Sequence, residues 1–78
     1  MIPDGTIDST TTFGRIIRQR RKVDGLTQAE AAALCGVGTR FLSELERGKA
    51  TVEFGKALRV LRGLGLEMTV TSRGGSSR

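Results

Sequence analysis

Apolar residues recur at helical spacing along most of the chain and switch to a period of two after Gly65, so the pattern predicts four helices followed by one strand. Ser9 can cap a first helix whose Phe13, Ile16 and Ile17 share one face, and Gly25 ends it. Thr27 and Glu30 spell a T-x-x-E capping box, which starts a short second helix running from Gln28 to about Cys35, with Gly36 just beyond it. Ala31, Ala32, Cys35 and then Val37 face inward. After the turn over residues 36–38, residues 39–47 set Leu42 and Leu45 on one side and Arg40, Ser43, Glu44 and Arg47 on the other. Gly48 stops this third helix and Thr51 offers the next cap. Phe54, Ala57, Leu58, Leu61 and Leu64 then mark the inward face of a fourth helix that ends at Gly65.

From there Leu66, Met68 and Val70 alternate with Glu67, Thr69 and Thr71, the pattern of a half-buried strand over residues 66–71. The helical part occupies residues 9–65. Residues 1–8 hold the one proline and no sustained period, and read as an N-terminal arm. Residues 72–78 are Gly/Ser-rich with two arginines and read as a flexible basic tail.

Composition narrows the function more than the fold. A chain of 78 residues has room for one domain, and at this size roughly 60% of the unfolded surface is buried, so the core is marginal. Cys35 is the one cysteine and there is no histidine, which leaves no disulfide framework, no zinc-ligand set, and no nucleophile with a base beside it. An enzyme, a metal and a cofactor are therefore not expected, and Cys35 reads as a buried structural thiol. The N-terminus has neither a basic start nor a long apolar run, so a secretory leader and a membrane span are not expected and the chain reads as cytoplasmic. A net charge of +5 points to an anionic partner, with nucleic acid the first candidate. Without Tyr or Trp, and with three Phe, the stacking platforms of single-strand RNA binders are missing.

Two short helices joined by a glycine-containing turn have the layout of a DNA-binding helix-turn-helix, whose second helix enters the major groove. The run from Leu26 to Lys49, LTQAEAAALCGVGTRFLSELERGK, closely resembles the lambda-repressor-like (Cro/Xre) helix-turn-helix family, where L-T-Q opens helix 2, G-V follows it and L-E-x-G-K closes helix 3. The immediate passage from Gly65 into the strand is similar to the HipB-type antitoxin subgroup. The resemblance implies an all-α, four-helix domain with a C-terminal β-strand that pairs across a homodimer. It also implies repression of the protein's own operon and a HipA-like kinase toxin as a partner. A stand-alone Xre-type regulator, or a toxin-binding module with weak DNA binding, would look much the same.

Residue by residue, Gln28 matches the family's phosphate-anchoring glutamine, a role that the free N–H groups of a helix's first turn favour, though a glutamine there can also be simply solvated. Thr39, Arg40, Ser43 and Glu44 match the exposed, base-reading positions. Arg40 can donate two hydrogen bonds to guanine, for about 1–3 kcal/mol of discrimination, or can pair with Glu44 one turn on for a few tenths of a kcal/mol. Glu44 can accept from cytosine or orient Arg40. Phe41 stands at the edge of the apolar face, suited to core packing or to a thymine methyl. Arg47 and Lys49 flank Gly48 where phosphates would pass, or form a solvated basic turn. Arg21 and Glu46 match a family ion pair that ties helix 1 to helix 3. Arg15, Arg18, Arg20, Arg21 and Lys22 make helix 1 strongly basic, a run that reads as a solvated face from which one or two side chains, near Arg18 or Lys22, can brush the DNA backbone. Leu34 falls on the outer side of helix 2, where a dimer seam, a toxin contact and ordinary exposure all fit.

The strand of Leu66, Met68 and Val70 has no partner in its own chain. A second copy can satisfy its edge, placing two recognition helices about 34 Å apart on a pseudo-palindromic operator of double-stranded DNA. The other arrangement lays it along helix 4 in a monomer.

Overall fold

Four helices carry the chain in a computed structural model whose described residues are 6–72: α1 (Thr10–Val23), α2 (Gln28–Cys35), α3 (Thr39–Glu46) and α4 (Phe54–Gly63). Most of the arm and tail expected over 1–8 and 72–78 lies outside the described residues. Local chemistry sets the boundaries. Ser9 Oγ accepts from the Thr12 N–H to start α1, and Thr27 with Glu30 completes the reciprocal capping box that starts α2. Each helix closes the same way, with a glycine at positive φ and the next residue's N–H returning to a carbonyl five residues back, as Leu26 does to Arg21 and Leu66 to Leu61.

The core lies where the four helices meet. Ile17, Leu42, Leu45 and Val60 are its largest fully buried side chains, with Phe13, Ala31, Ala32, Cys35, Ala57, Leu61 and Leu64 around them. Each large aliphatic side chain contributes about 1.5–3 kcal/mol by leaving water. The Cys35 thiol sits against the Val60 carbonyl at 3.6 Å, and burial pushes its pKa up, which makes it a packing residue rather than a reactive one. Gly63 is what lets α4 lie on α2, since a Cβ there would come within 2.5 Å of Cys35 Sγ.

Two expectations about α4 are corrected. Thr51 does not cap it. The helix begins at Phe54, with Glu53 at the cap position and no side-chain hydrogen bond. The intervening loop is held instead by packing, because Val52 rests against the core and the Thr10 hydroxyl donates to the Gly48 carbonyl at 2.9 Å. Phe54, expected inward, is 61% exposed. It shares the azimuth of Ala57 and Leu61 but stands in the first turn, beyond the end of the core.

No strand forms among the described residues of this single chain, since a ladder needs a partner and residues 66–72 have none in it. Leu66 packs partly on the core, whereas Met68 and Val70 are exposed, Val70 by 90%. No helix of the described residues is long and apolar enough to cross a membrane.

Candidate nucleic-acid interface

The turn between α2 and α3 is built by Gly36 at φ 72°, with the Val37 N–H returning to Ala32 O at 3.0 Å. Chain direction changes within residues 36–38, and Gly38 then starts α3 with its carbonyl accepting from the Leu42 N–H. Along α3 the two faces separate cleanly. Leu42 and Leu45 are buried, while Thr39 and Arg40 are exposed and Ser43 and Glu44 half-exposed. The Arg40 side chain is 91% exposed.

Beneath α3 lies a closed ion pair. Arg21 Nε and Nη2 donate to the two carboxylate oxygens of Glu46 at 2.6 and 2.9 Å, a bidentate geometry, with the side chains 9% and 3% exposed. The third nitrogen, Nη1, donates to Leu26 O at 2.8 Å, just before α2. Gln28 Nε2 adds a bond to Glu46 Oε1 at 3.1 Å. One carboxylate therefore ties α1, α2 and α3 together. Burial alone would raise the Glu46 carboxyl, but bonds from Arg21 and Gln28 and the charges of Arg21 and Arg18 outweigh it and hold the group below its ordinary range. Arg21 is raised in turn by its bond to Glu46, against the opposing effect of burial.

Gly14 makes that junction possible. A Cβ on it would stand 2.7 Å from the Glu46 carbonyl oxygen, so α1 and α3 cross in backbone contact at this point. The sequence reading missed it. A glycine inside a helical pattern costs about 1 kcal/mol against alanine, and that cost is the signal that could have found it. Just past that same C-terminal end of α3, a Cβ on Gly48 would lie 2.8 Å from Thr11 Cα, so the N-terminus of α1 packs against the α3 exit.

Gly48, at φ 83°, also completes a Schellman turn in which the Lys49 N–H reaches Glu44 O at 3.1 Å. That turn brings the Lys49 ammonium to 3.3 Å from Glu44 Oε1, while Arg40 Nε lies 3.5 Å from Oε2. Lys49 chiefly, with Arg40, holds the Glu44 carboxyl below its ordinary range. Arg47, at the C-cap of α3, is exposed. Phe41 packs partly against the core, with Lys56 Nζ 5.8 Å from its ring centroid, a neighbour that the sequence gives no sign of. On α1, Arg21 is spent on Glu46 and Arg20 lies 3.6 Å from Asp24. Arg15, Arg18 and Lys22 are exposed and make no ion pair among the described residues. Leu34 is exposed.

A second feature lies elsewhere on the surface. Ile7, Phe13, Val52, Phe54, Ala57 and Met68 line an open apolar groove of about 390 Å³ between the start of α1, the start of α4 and the chain after α4.

Known proteins resemble this chain along most of its length. The family described as a helix-turn-helix domain matches residues 12–72. An uncharacterized HTH-type transcriptional regulator of Sinorhizobium fredii is 40% identical over 68 residues, covering 87% of this chain and 90% of the relative. HipB in its complex with an O4 20mer superposes with a TM-score of 0.80 at 25% identity, covering 88% of this chain and 97% of HipB. A HipA-HipB-O2-O3 complex gives the same figures, a TM-score of 0.80 and 25% identity. The restriction-modification controller protein C.AhdI of Aeromonas hydrophila matches at a TM-score of 0.67 and 29% identity, over 74% of this chain and 84% of that one.

Proposed function

The chain belongs to the Cro/Xre helix-turn-helix family of transcriptional regulators, in its HipB-type form, and from that premise we propose that it is a sequence-specific repressor acting as a homodimer. The observation that carries the reading is α3 itself. It is a short rod with Leu42 and Leu45 locked beneath, a satisfied ion pair at its base, and Arg40, Thr39, Ser43 and Glu44 facing out. A rod so held keeps its orientation while it reads base edges, which is what groove recognition requires.

In this reading Arg40 donates to a guanine, with Thr39, Ser43 and Glu44 completing the base contacts. Gln28 keeps one amide N–H beyond its bond to Glu46 and offers it to a phosphate at the positive end of α2. Arg47 and Lys49 hold the DNA backbone just past the C-terminal end of α3. These contacts position the helix without reading sequence.

The domain spans residues 9–65, and residues 66–71 form the dimerisation strand through Leu66, Met68 and Val70. Exposed Val70 and the groove with Phe54 at its rim support a second copy as the covering partner. A pair of short strands alone falls well below the roughly 800 Å² per partner of a stable interface, and the groove supplies apolar area to make up the difference. The likeness to HipB in its HipA and DNA complexes supports an antitoxin that represses its own operon and binds a HipA-like kinase toxin. A stand-alone regulator is the second reading, favoured by the Sinorhizobium fredii relative. Co-purification of a kinase encoded beside this gene separates the two.

The test of the central claim is selection of duplexes from a randomised pool on the purified protein. A pseudo-palindromic sequence should emerge, and Arg40→Ala and Gln28→Ala should each weaken binding to it. If neither does, α3 is not the reading element.

A further inference from the structure

Glu44 is the one acid on the outer surface of α3, and each of its two carboxylate oxygens engages a different cation. Oε2 lies 3.5 Å from Arg40 Nε and Oε1 lies 3.3 Å from Lys49 Nζ. The backbone enforces the second contact, because the turn at Gly48 fastens the Lys49 N–H to Glu44 O at 3.1 Å. Glu44 is 23% exposed, Arg40 91% and Lys49 46%, so the acid sits below its cations and closes them into a bridge. The two cations so bridged are those assigned to guanine and to phosphate. A phosphate must draw Lys49 away from the carboxylate before it can use it, whereas Arg40, held at Nε, keeps its two terminal nitrogens for a guanine.

What a duplex offers in exchange depends on its sequence. Phosphates are present on every duplex, whereas a guanine edge meets Arg40 only in the right register. A correct site supplies Arg40 with a bidentate partner and holds it there. A random site supplies phosphate alone and leaves the Glu44 charge facing the backbone anions. We infer that Glu44 is a specificity-determining residue of the repressor, an internal counter-anion that penalises binding to random DNA more than binding to the operator. The inference rests on α3 being the DNA-contacting element. Discrimination of this kind comes from a repulsive group set against the wrong partner, in addition to attraction toward the right one.

Glu44→Gln keeps the size and the helix propensity of the side chain while it removes the charge. Freeing one cation for one more phosphate should tighten random-duplex binding about fivefold near 0.15 M salt and steepen its log–log salt slope by up to about 0.9. Operator affinity should change less, because Arg40 there loses the carboxylate that orients it. The ratio of operator to random affinity therefore falls.

The experiment titrates wild-type, Glu44→Gln and Glu53→Gln proteins against two labelled short duplexes at several potassium chloride concentrations. One duplex is a sequence selected by the wild-type protein from a randomised pool, and the other is random. Glu53 supplies the control, since it pairs with Lys56 at 3.8 Å before α4 and its amide raises net charge by the same single unit. A ratio that drops for Glu44→Gln and holds for Glu53→Gln supports the inference. Equal tightening on both duplexes by Glu44→Gln overturns it, as does an equal drop for Glu53→Gln, which would make net charge the whole effect. A wild-type protein that selects no sequence from the pool overturns the reading of α3 and this inference with it, and is told apart because it shows before any variant is made.

Discussion

Two ion clusters centred on acids of α3 that stand less than a turn apart, Glu46 and Glu44, are built in opposite ways. Inside, Arg21 and Glu46, almost without exposure, form a closed set with half-buried Gln28 through bonds of 2.6 to 3.1 Å. Outside, Arg40, Glu44 and Lys49 form an open set at 3.3 to 3.5 Å under solvent. The inner cluster is expensive to break because the survivor is a charge stranded away from water, whereas exposed pairs of the outer kind contribute about 0 to 1 kcal/mol to stability. The lesson is that exposure, not residue type, decides whether a charge serves the fold or the ligand. A reading surface needs charges that can change partners, on a frame whose charges cannot.

The largest effect expected is at the inner cluster. Arg21→Ala leaves Glu46 buried without its bidentate partner and should cost about 3–5 kcal/mol, measured by denaturant melts. Total stability for a domain this size is about 4–12 kcal/mol, so the variant should be close to unfolding. A loss below about 0.5 kcal/mol would put this pair in the same class as the outer one. The pH dependence has a definite sign. Glu46 is depressed in the folded chain, so its contribution is in full force above the ordinary carboxylate value near 4.3 and disappears as pH falls through its lower folded value. Melts between neutral and strongly acid pH should show that loss in the wild-type protein and a smaller one in Arg21→Ala.

Next in size is Gly14→Ala, which tests whether the frame depends on the α1–α3 crossing. The added methyl meets the carbonyls of Leu45 and Glu46, and overpacking of this severity costs about 3 kcal/mol. Alanine returns about 1 kcal/mol of helix propensity, leaving a net loss of about 2. A stabilised variant would mean that the two helices can separate freely.

How much of this was legible depends on how local each cause is. The capping box at Thr27 and Glu30, the glycine exits and the two-faced character of residues 39–46 are written in short windows, and the structure places them where the windows say. Arg21 and Glu46 stand 25 positions apart, and only the resemblance to a family brought them together before the structure did. Thr51 and Phe54 failed for a different reason. Helical spacing gives a residue's angle around the axis and not its depth along it, so Phe54 shares a face with Ala57 yet overhangs the core. The loop before it is fixed by Thr10 and Val52, contacts that no nearby residue announces. The bridge from Glu44 to Lys49 lies between these cases, since Gly48 signals the turn but not which side chains it brings face to face.

On the outer cluster the effects move from stability to binding. Arg40→Ala removes a highly exposed side chain, so melting should shift by no more than about 0.5 kcal/mol. Affinity for the selected duplex should fall at least about fivefold, with specificity relaxed at one base position. A stability loss comparable to that of Arg21→Ala, with affinity unchanged, would reverse the roles of the two clusters.

The smallest effect, and the sharpest test of the division of labour, is Lys49→Ala. If Lys49 meets phosphate alone, its loss weakens the selected and the random duplex alike and lowers the salt slope of both by up to about 0.9. Because Glu44 holds part of that charge in the free protein, the loss in affinity should stay below about fivefold near 0.15 M salt. The Schellman turn keeps its backbone bonds, since they use the Lys49 N–H and not the side chain, and melting should stay where it was. A change confined to the selected duplex would make Lys49 a reader of sequence, and the boundary between positioning and reading would then fall beyond Gly48.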